Sequence, residues 1–288
     1  MKIGLVLEGG GMRGLYTAGV LDTMMAQDWK PDYVVGVSAG ACHAASFVSG
    51  QRGRAYRTNM DYLEDKRYLS VSNYLKTGSL FGMKFIFETI PDHLDIFDYE
   101  AMLSSPMEYE VGVTDVDTGK AVFYFKEALY HDCTLLSASS SIPVFSPIVE
   151  YQGRRYLDGG TAAPIPVERA LEKGCDFIVA VLTRDRGYQK SPESFRSVYR
   201  HVLHRYPAMI QALDTRHEVY AKSRELLFRL EKEGKAVVIA PETPIMLSRF
   251  EKDKKKLDAL YYQGQQECRK LWEAGKIPRK TVVREGER

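Results

Sequence analysis

The chain opens on Lys2-Ile3-Gly4-Leu5-Val6-Leu7, where apolar side chains run almost without polar interruption. A short apolar run of this kind reads as a strand buried on both faces, not one with a solvent side. A glycine-rich stretch follows. Apolar residues then return at helical spacing at Leu15, Ala18, Val20, Leu21 and Met25. A second run over residues 32–37 is β-branched and leads into the small residues Ala39-Gly40-Ala41-Cys42-His43-Ala44-Ala45, a second helix. Strand, helix, strand, helix in this order predicts an α/β fold, a mainly parallel sheet with helices on both faces.

From about residue 51 to 105 the alternation is lost. Short helical patterns there carry Tyr56, Tyr62, Tyr68, Tyr74, Phe81, Phe85, Phe87 and Phe97. An insertion of this kind after the second helix is a natural cover for an acyl-binding site, and packing on the core is the plainer reading of the same aromatics. Residues 109–113 and 121–125 read as strands joined by the turn Asp115-Val116-Asp117-Thr118-Gly119. Residues 133–141 read as a helix stopped by Pro143, and 148–157 as a hairpin through Gln152-Gly153. A short helix over 166–173 and a strongly apolar strand over 176–183 follow, the strand completing the centre of the sheet. The last third is mostly helical. Residues 192–233 offer Val198, Val202, Met209, Leu213, Tyr220, Leu227 and Leu230 as core positions. A strand over 236–240, a helix over 250–274 and a charged, fraying tail over 279–288 complete the chain. The expected division is a catalytic domain over 1–190, with 51–105 as its aromatic cover, and a helical region over 191–288 packed on or appended to it. No internal repeat or low-complexity segment is visible.

Three short motifs carry chemistry. Val34-Val35-Gly36-Val37-Ser38-Ala39-Gly40 places Ser38 between a strand and a helix in the pattern Gly-x-Ser-x-Gly, a nucleophile elbow. Gly36 and Gly40 leave room for the sharp turn, and the helix N-terminus lies under any negative charge that forms there. Glu8-Gly9-Gly10-Gly11-Met12-Arg13-Gly14 follows the first strand, and three successive glycines let backbone N–H groups crowd around an anion. That anion is a phosphate or the oxyanion of a tetrahedral intermediate. Gly9, Gly11 and Gly14 also fit Gly-x-Gly-x-x-Gly, but a dinucleotide site needs an acid at the end of the second strand. Here that strand ends in Gly-Val-Ser, and Asp28 and Asp32 precede it. The third motif, Tyr156-Leu157-Asp158-Gly159-Gly160, ends a strand in an acid. Alone it is a turn aspartate; beside a nucleophilic serine it supplies the base the serine needs.

Taken together the chain resembles the patatin-like phospholipases, a family of serine acyl hydrolases. The family's oxyanion loop matches Glu8 to Gly14, with Glu8 in place of the usual Asp and Arg13 at the basic position. Its elbow matches Gly36 to Gly40, its dyad motif Asp158-Gly159-Gly160, and its Ala-Ser-x-x-x-Pro block Ala138-Ser139-Ser140-Ser141-Ile142-Pro143. The resemblance covers about residues 1–185. The family's Asn after the acid motif is replaced by Thr161-Ala162-Ala163-Pro164. It implies a three-layer α/β/α fold, Ser38 as nucleophile, Asp158 as base, and an oxyanion site at Gly9, Gly10 and Gly11. Arg13 either braces that loop or attracts a phosphate head group, and bracing is the expected role. The implied partner is a lipid or acyl ester, and neither cofactor nor metal is implied.

Composition narrows this little. A net charge of +2 gives no reason to expect nucleic acid, and four scattered cysteines form no Cys-x-x-Cys pair. Neither a disulfide framework nor a zinc site is expected, and a reducing compartment, the cytoplasm, fits. Residues 2–7 run straight into the loop, so no cleaved leader is expected. Lys252-Asp253-Lys254-Lys255-Lys256 either meets anionic lipid at a membrane surface or is a solvated helix face, the plainer reading. Two rival functions stay open. One is an α/β-hydrolase with a Ser-His-Asp triad, using His201, His204 or His217. The other is a non-enzymatic lipid or partner binder on the same scaffold. His43, on the elbow helix, is expected to point away from the serine, so no catalytic histidine is assigned. The last third shows no constellation that looks chemical.

Overall fold

The first strand, Ile3–Leu7 (β1), is the axis of the sheet. The computed structural model describes residues 1–278, so the charged tail over 279–288 lies outside the described residues. Strand Tyr33–Val37 (β2) pairs parallel with β1 on one side, and Glu108–Asp115 (β3) pairs parallel with β2. Ala121–Phe125 (β4) returns antiparallel along β3, and the hairpin Val149–Tyr151 (β5) and Arg154–Asp158 (β6) joins β3 through β6. On the other side of β1, Phe177–Val181 (β7) and Ala236–Ile239 (β8) extend the parallel part.

The helices follow in chain order. They are Leu15–Ala26 (α1), Ala39–Val48 (α2), Arg54–Met60 (α3), Val71–Thr77 (α4) and Tyr99–Ser104 (α5). Then come Thr134–Ser139 (α6), Val167–Glu172 (α7), Arg196–Val202 (α8), Pro207–Lys232 (α9) and Lys254–Glu273 (α10).

Both faces of the sheet are covered, as the unbroken apolar strands require. Leu5, Leu7, Val34 and Val181 face one layer with α1, α2, α6 and α10. Val6, Val35, Ile178 and Ala180, one residue out of phase, face the other with α7 and α9. The fold is thus three layers, with residues 191–288 supplying β8 to the sheet, α9 to one face and α10 to the other. Two expected core positions are corrected. Val198 and Val202 are 43% and 52% exposed. In α8 the inward face is carried by Tyr199 and, just past its end, Leu203, four residues apart, which turns both valines outward. Met209, Leu213, Tyr220, Leu227 and Leu230 are buried.

The basic run at residue 252 begins α10, with Asp253 accepting from the Lys255 and Lys256 backbone N–H groups at 3.1 and 3.2 Å. Lys252 Nζ donates to Leu69 O at 3.0 Å. Among the described residues no helix is long and apolar enough to cross a membrane.

Helices α1 and α10 touch backbone to backbone. A Cβ on Gly264 would lie 2.2 Å from Tyr16 O, and one on Gly19 would lie 2.0 Å from Tyr261 O. The buried Tyr16 hydroxyl donates to Glu267 Oε2 at 2.6 Å across the same seam. Gly264→Ala must force the helices apart, and such overpacking costs about 1–3 kcal/mol. Urea unfolding should show a lower midpoint with an unchanged slope; an unchanged midpoint would mean the seam is loose.

Candidate active site

Strand β3 is eight residues long, and β2 and β6 are each five. Register explains what this does. Along β3, Glu110, Val111 and Gly112 pair with β4 on one edge and β2 on the other. Val113 and Thr114 pair with β4 again, and now with β6 opposite. Strands β2 and β6 therefore share one edge of β3 and run toward each other. The row Val37–Gly112 ends β2, and the next row, Asp158–Val113, ends β6. Ser38 and Asp158 meet where the two strands abut. A Cβ on Gly159 would lie 2.0 Å from Gly112 O, so only glycine lets the chain turn this tightly after Asp158.

Ser38 has φ 54° and ψ −130°, a left-handed backbone that disfavours a side chain. The elbow holds it there. A Cβ on Gly36 would lie 2.7 Å from Ala41 N, and one on Gly40 would lie 2.6 Å from Leu7 O. Ser38 N–H donates to Ser139 Oγ at 2.8 Å, and Ser139 Oγ donates to Gly112 O at 2.6 Å. Asp158 N–H donates to Ser141 O at 2.8 Å. The Ala138–Pro143 block thus fixes both members of the pair, a role its sequence alone did not disclose.

The Ser38 side chain faces the Asp158 carboxyl and favours its charged form. That carboxyl accepts from Gly160 N–H at 2.7 Å. Burial raises its pKa, and Arg216, the Ser38 side chain, the Gly160 N–H and Arg249 oppose the rise. None of these neighbours is a histidine. His43 lies on α2 with its Nε2 toward Gly14, where an added Cβ would come within 2.7 Å. His201 and His204 pack on each other at α8, and His217 sits beside Glu218 on α9.

The glycine loop lies over the same place. Thr183, just past β7, donates its hydroxyl to Gly9 O at 3.0 Å and its N–H to Glu8 Oε2 at 2.7 Å. Tyr220 OH also donates to Glu8, at 2.9 Å. Among the described residues the N–H groups of Gly9 and Gly10 have no backbone acceptor. Gly11 takes φ +56°, with the Arg249 carbonyl packed where a Cβ would go. Among the described residues the Arg13 side chain makes no hydrogen bond to the loop. It is buried, its Nε has no hydrogen-bond partner, and its pKa is lowered to about 10 by burial, Arg184 and Arg249.

Two pockets meet at Ser38. The larger encloses about 930 Å³ and is mainly apolar, lined by Tyr68, Phe81, Phe87, Phe97 and Leu136 among others. The 51–105 segment thus supplies pocket wall as well as core. Its π-helical turn Phe85–Leu94 brings Phe87 and Pro91 to the pocket while Phe85 packs inward. The second pocket encloses about 570 Å³ and is polar, bounded by the glycine loop, Asp158, Arg13, Arg184, Arg216 and Arg249. Arg216 and Arg249 come from the C-terminal region over 191–288, which thus lines this pocket although its sequence shows no constellation that looks chemical. They belong to no local motif; their only signal in the sequence is scattered basic residues.

A family model described as patatin-like phospholipase matches residues 5–171, and one described as a domain of unknown function, DUF6363, matches residues 206–276. The uncharacterized protein YjjU of Escherichia coli is 29% identical over 213 residues, which is 69% of this chain and 57% of YjjU. Lysophospholipase NTE1 of the yeast Meyerozyma guilliermondii is 28% identical over 192 residues, 62% of this chain but 12% of the yeast protein. Probable lipid hydrolase 463L of Invertebrate iridescent virus 6 is 23% identical over 216 residues, 65% of this chain and 72% of the viral protein. The chain therefore spans little more than half of YjjU and a small part of the yeast lysophospholipase. Among solved structures, VipD of Legionella pneumophila aligns over 95% of this chain and 67% of its own, at 12% identity and a TM-score of 0.48.

His43 gives this region a pH signature. Burial lowers its pKa from 6.5 to about 4, so the folded imidazole stays neutral where the unfolded one takes a proton. The unfolded state then binds more protons below pH 6.5, and stability present above that pH is lost as the pH falls toward 4. Between pH 7 and pH 5 the loss from this group is ~2 kcal/mol. Urea titrations of wild type and His43→Asn at both pH values should show a smaller acid loss in the variant; equal losses would place the effect elsewhere.

Proposed function

Because the chain belongs to the patatin-like phospholipase family, we propose that it is a serine-dependent lipid acyl hydrolase working through Ser38 and Asp158. The observation that carries this reading is the abutment of β2 and β6, which brings the serine hydroxyl onto a buried carboxyl at the junction of an apolar and a polar pocket. The apolar pocket suits an acyl chain, and the polar one suits the alcohol side of the ester.

Each group then has one task. Asp158 removes the Ser38 proton as Oγ bonds to the ester carbonyl carbon. Its raised pKa makes it a better base than an exposed aspartate. The negative charge that develops on the carbonyl oxygen is held by the free Gly9 and Gly10 N–H groups, with Gly11 beside them, and by the N-terminus of α2. As the tetrahedral intermediate collapses, the ester C–O bond breaks and Asp158 returns its proton to the leaving alcohol. Water attacks the acyl-serine next, Asp158 takes its proton, and that proton restores the Ser38 hydroxyl as the acid leaves. The lysophospholipase and lipid hydrolase names of two relatives agree with a lipid ester as substrate.

Ser38→Ala and Asp158→Asn should each lower kcat for a lipid ester by at least about a thousandfold with the fold intact. A fluorophosphonate should add once per chain, at Ser38. Labelling elsewhere, or a histidine variant as damaging as Ser38→Ala, would move the mechanism to a triad or to another nucleophile.

Gly10→Ala tests the loop. Its Cβ would lie 2.8 Å from Thr183 Oγ1, so either the loop or the Thr183 side chain that holds Gly9 O must shift. Loss of one such donor costs about 100- to 1000-fold in kcat. KM should change far less, whereas an effect confined to KM would make the loop a substrate-binding element.

A further inference from the structure

The polar pocket holds more positive charge than hydrolysis of a neutral ester requires. Arg13, Arg184, Lys190, Arg216 and Arg249 all line it. The carboxylates that face them are Glu8 and Asp158 in the wall and Glu193 behind it, paired with Lys190 at 2.7 Å and with Arg216 at 2.9 Å. Two of the three are already engaged elsewhere. Glu8 accepts from Thr183 and Tyr220, and Asp158 accepts from Gly160 with the Ser38 side chain facing it. Five cations against three carboxylates leave an excess of two positive charges.

That excess sits on identifiable groups. Arg13 is 8% exposed, its Nε lacks any hydrogen-bond partner, and it forms no salt bridge among the described residues. Arg249 likewise forms no salt bridge among the described residues, although burial and Arg216 lower its pKa. Arg184 spends one nitrogen on Ile245 O at 2.8 Å and lies over the Tyr188 ring at 4.6 Å. Guanidinium groups buried together without counter-charge are costly, and an anion placed among them removes that cost. Guanidinium forks also match phosphate oxygens two at a time.

We propose that this pocket is a recognition site for a phosphate monoester, the dianionic headgroup of the lipid whose acyl ester Ser38 cleaves. The proposal rests on the hydrolase reading above for the lipid, but not for the anion. Its position follows from the wall shared at Ser38: an acyl chain fills the apolar pocket, the ester carbonyl meets the loop, and the headgroup lies beyond. A choline or ethanolamine headgroup would set its ammonium among five cations, so the same residues reject zwitterionic lipids. Only Arg13 belongs to the 5–171 segment; Arg216 and Arg249 lie within 206–276, which gives that segment a task.

The test compares three esters of one short acyl chain, kept below their micelle concentrations: an acylglycerol phosphate, an acylglycerophosphocholine and a monoacylglycerol. Wild type should favour the phosphate in kcat/KM by about tenfold or more over the other two, the yield of one or two charge-assisted contacts. Arg249→Gln should cut that preference by about tenfold, and Arg249→Lys should keep most of it. Added salt should erode the preference as well. Equal kcat/KM for all three esters in wild type would overturn the proposal. A second arm measures binding of glycerol phosphate and of inorganic phosphate to Ser38→Ala by calorimetry. Glycerol phosphate binding that Arg249→Gln weakens upholds the site even if no ester is hydrolysed, in which case the hydrolase reading falls alone. Arg249-dependent binding of inorganic phosphate with no preference among the esters would overturn the headgroup assignment and leave a site for a free anion.

Discussion

The site depends on one strand being longer than its partners. Strand β3 gives one whole edge to β4 and divides the other between β2 and β6. Two strands that approach end to end on a shared edge must each break off, and each break leaves a residue facing the gap. Those residues are Ser38 and Asp158. The left-handed backbone of Ser38 stores about 1–3 kcal/mol of strain, which persists only where surrounding structure holds it. Ser139 supplies that hold, its Oγ accepting from the Ser38 N–H and donating to Gly112 O of β3. A chain of two hydrogen bonds therefore ties the strained residue to the strand that created the gap.

The local parts of this arrangement were legible in the sequence, and the long-range parts were not. Strands at residues 3–7 and 33–37 and the elbow between β2 and α2 follow from short apolar runs and glycine spacing, which neighbouring residues determine. The abutment of β2 with β6 joins residues 120 positions apart through a third strand, and nothing periodic encodes it. The same limit hid Ser139, whose partners are 101 and 27 residues away. It also misplaced Val198 and Val202, because a short helix shows only two turns and either face fits its pattern. The aromatic segment allowed two readings and the structure uses both, since Phe85 packs in the core while Phe87, two residues on, lines a pocket.

The C-terminal third enters the site by routes that no motif scan finds. Tyr220 holds Glu8 at the root of the loop, Arg216 donates to Gly160 O at 2.6 Å beside Asp158, and the Arg249 carbonyl accepts from Met12 N–H at 3.1 Å. Each contact fixes a residue of the first 160 from a residue past 215. The α1–α10 seam then makes their positions mutually dependent, because it allows no slack between the backbones.

Within the polar pocket, charge connects the arginines to Asp158. Arg216 and Arg249 both oppose the upward shift of the Asp158 pKa. A dianion among them would cancel part of that opposition, so Asp158 would accept a proton more readily with the headgroup in place than without it. Linkage would make the effect reciprocal: a proton on Asp158 would strengthen the hold on the headgroup, while the negative charge that Asp158 gives up would pass to the oxyanion at the glycine loop. Binding energy from the far end of the lipid would then be expressed at the step where the serine loses its proton, which is where it accelerates the reaction.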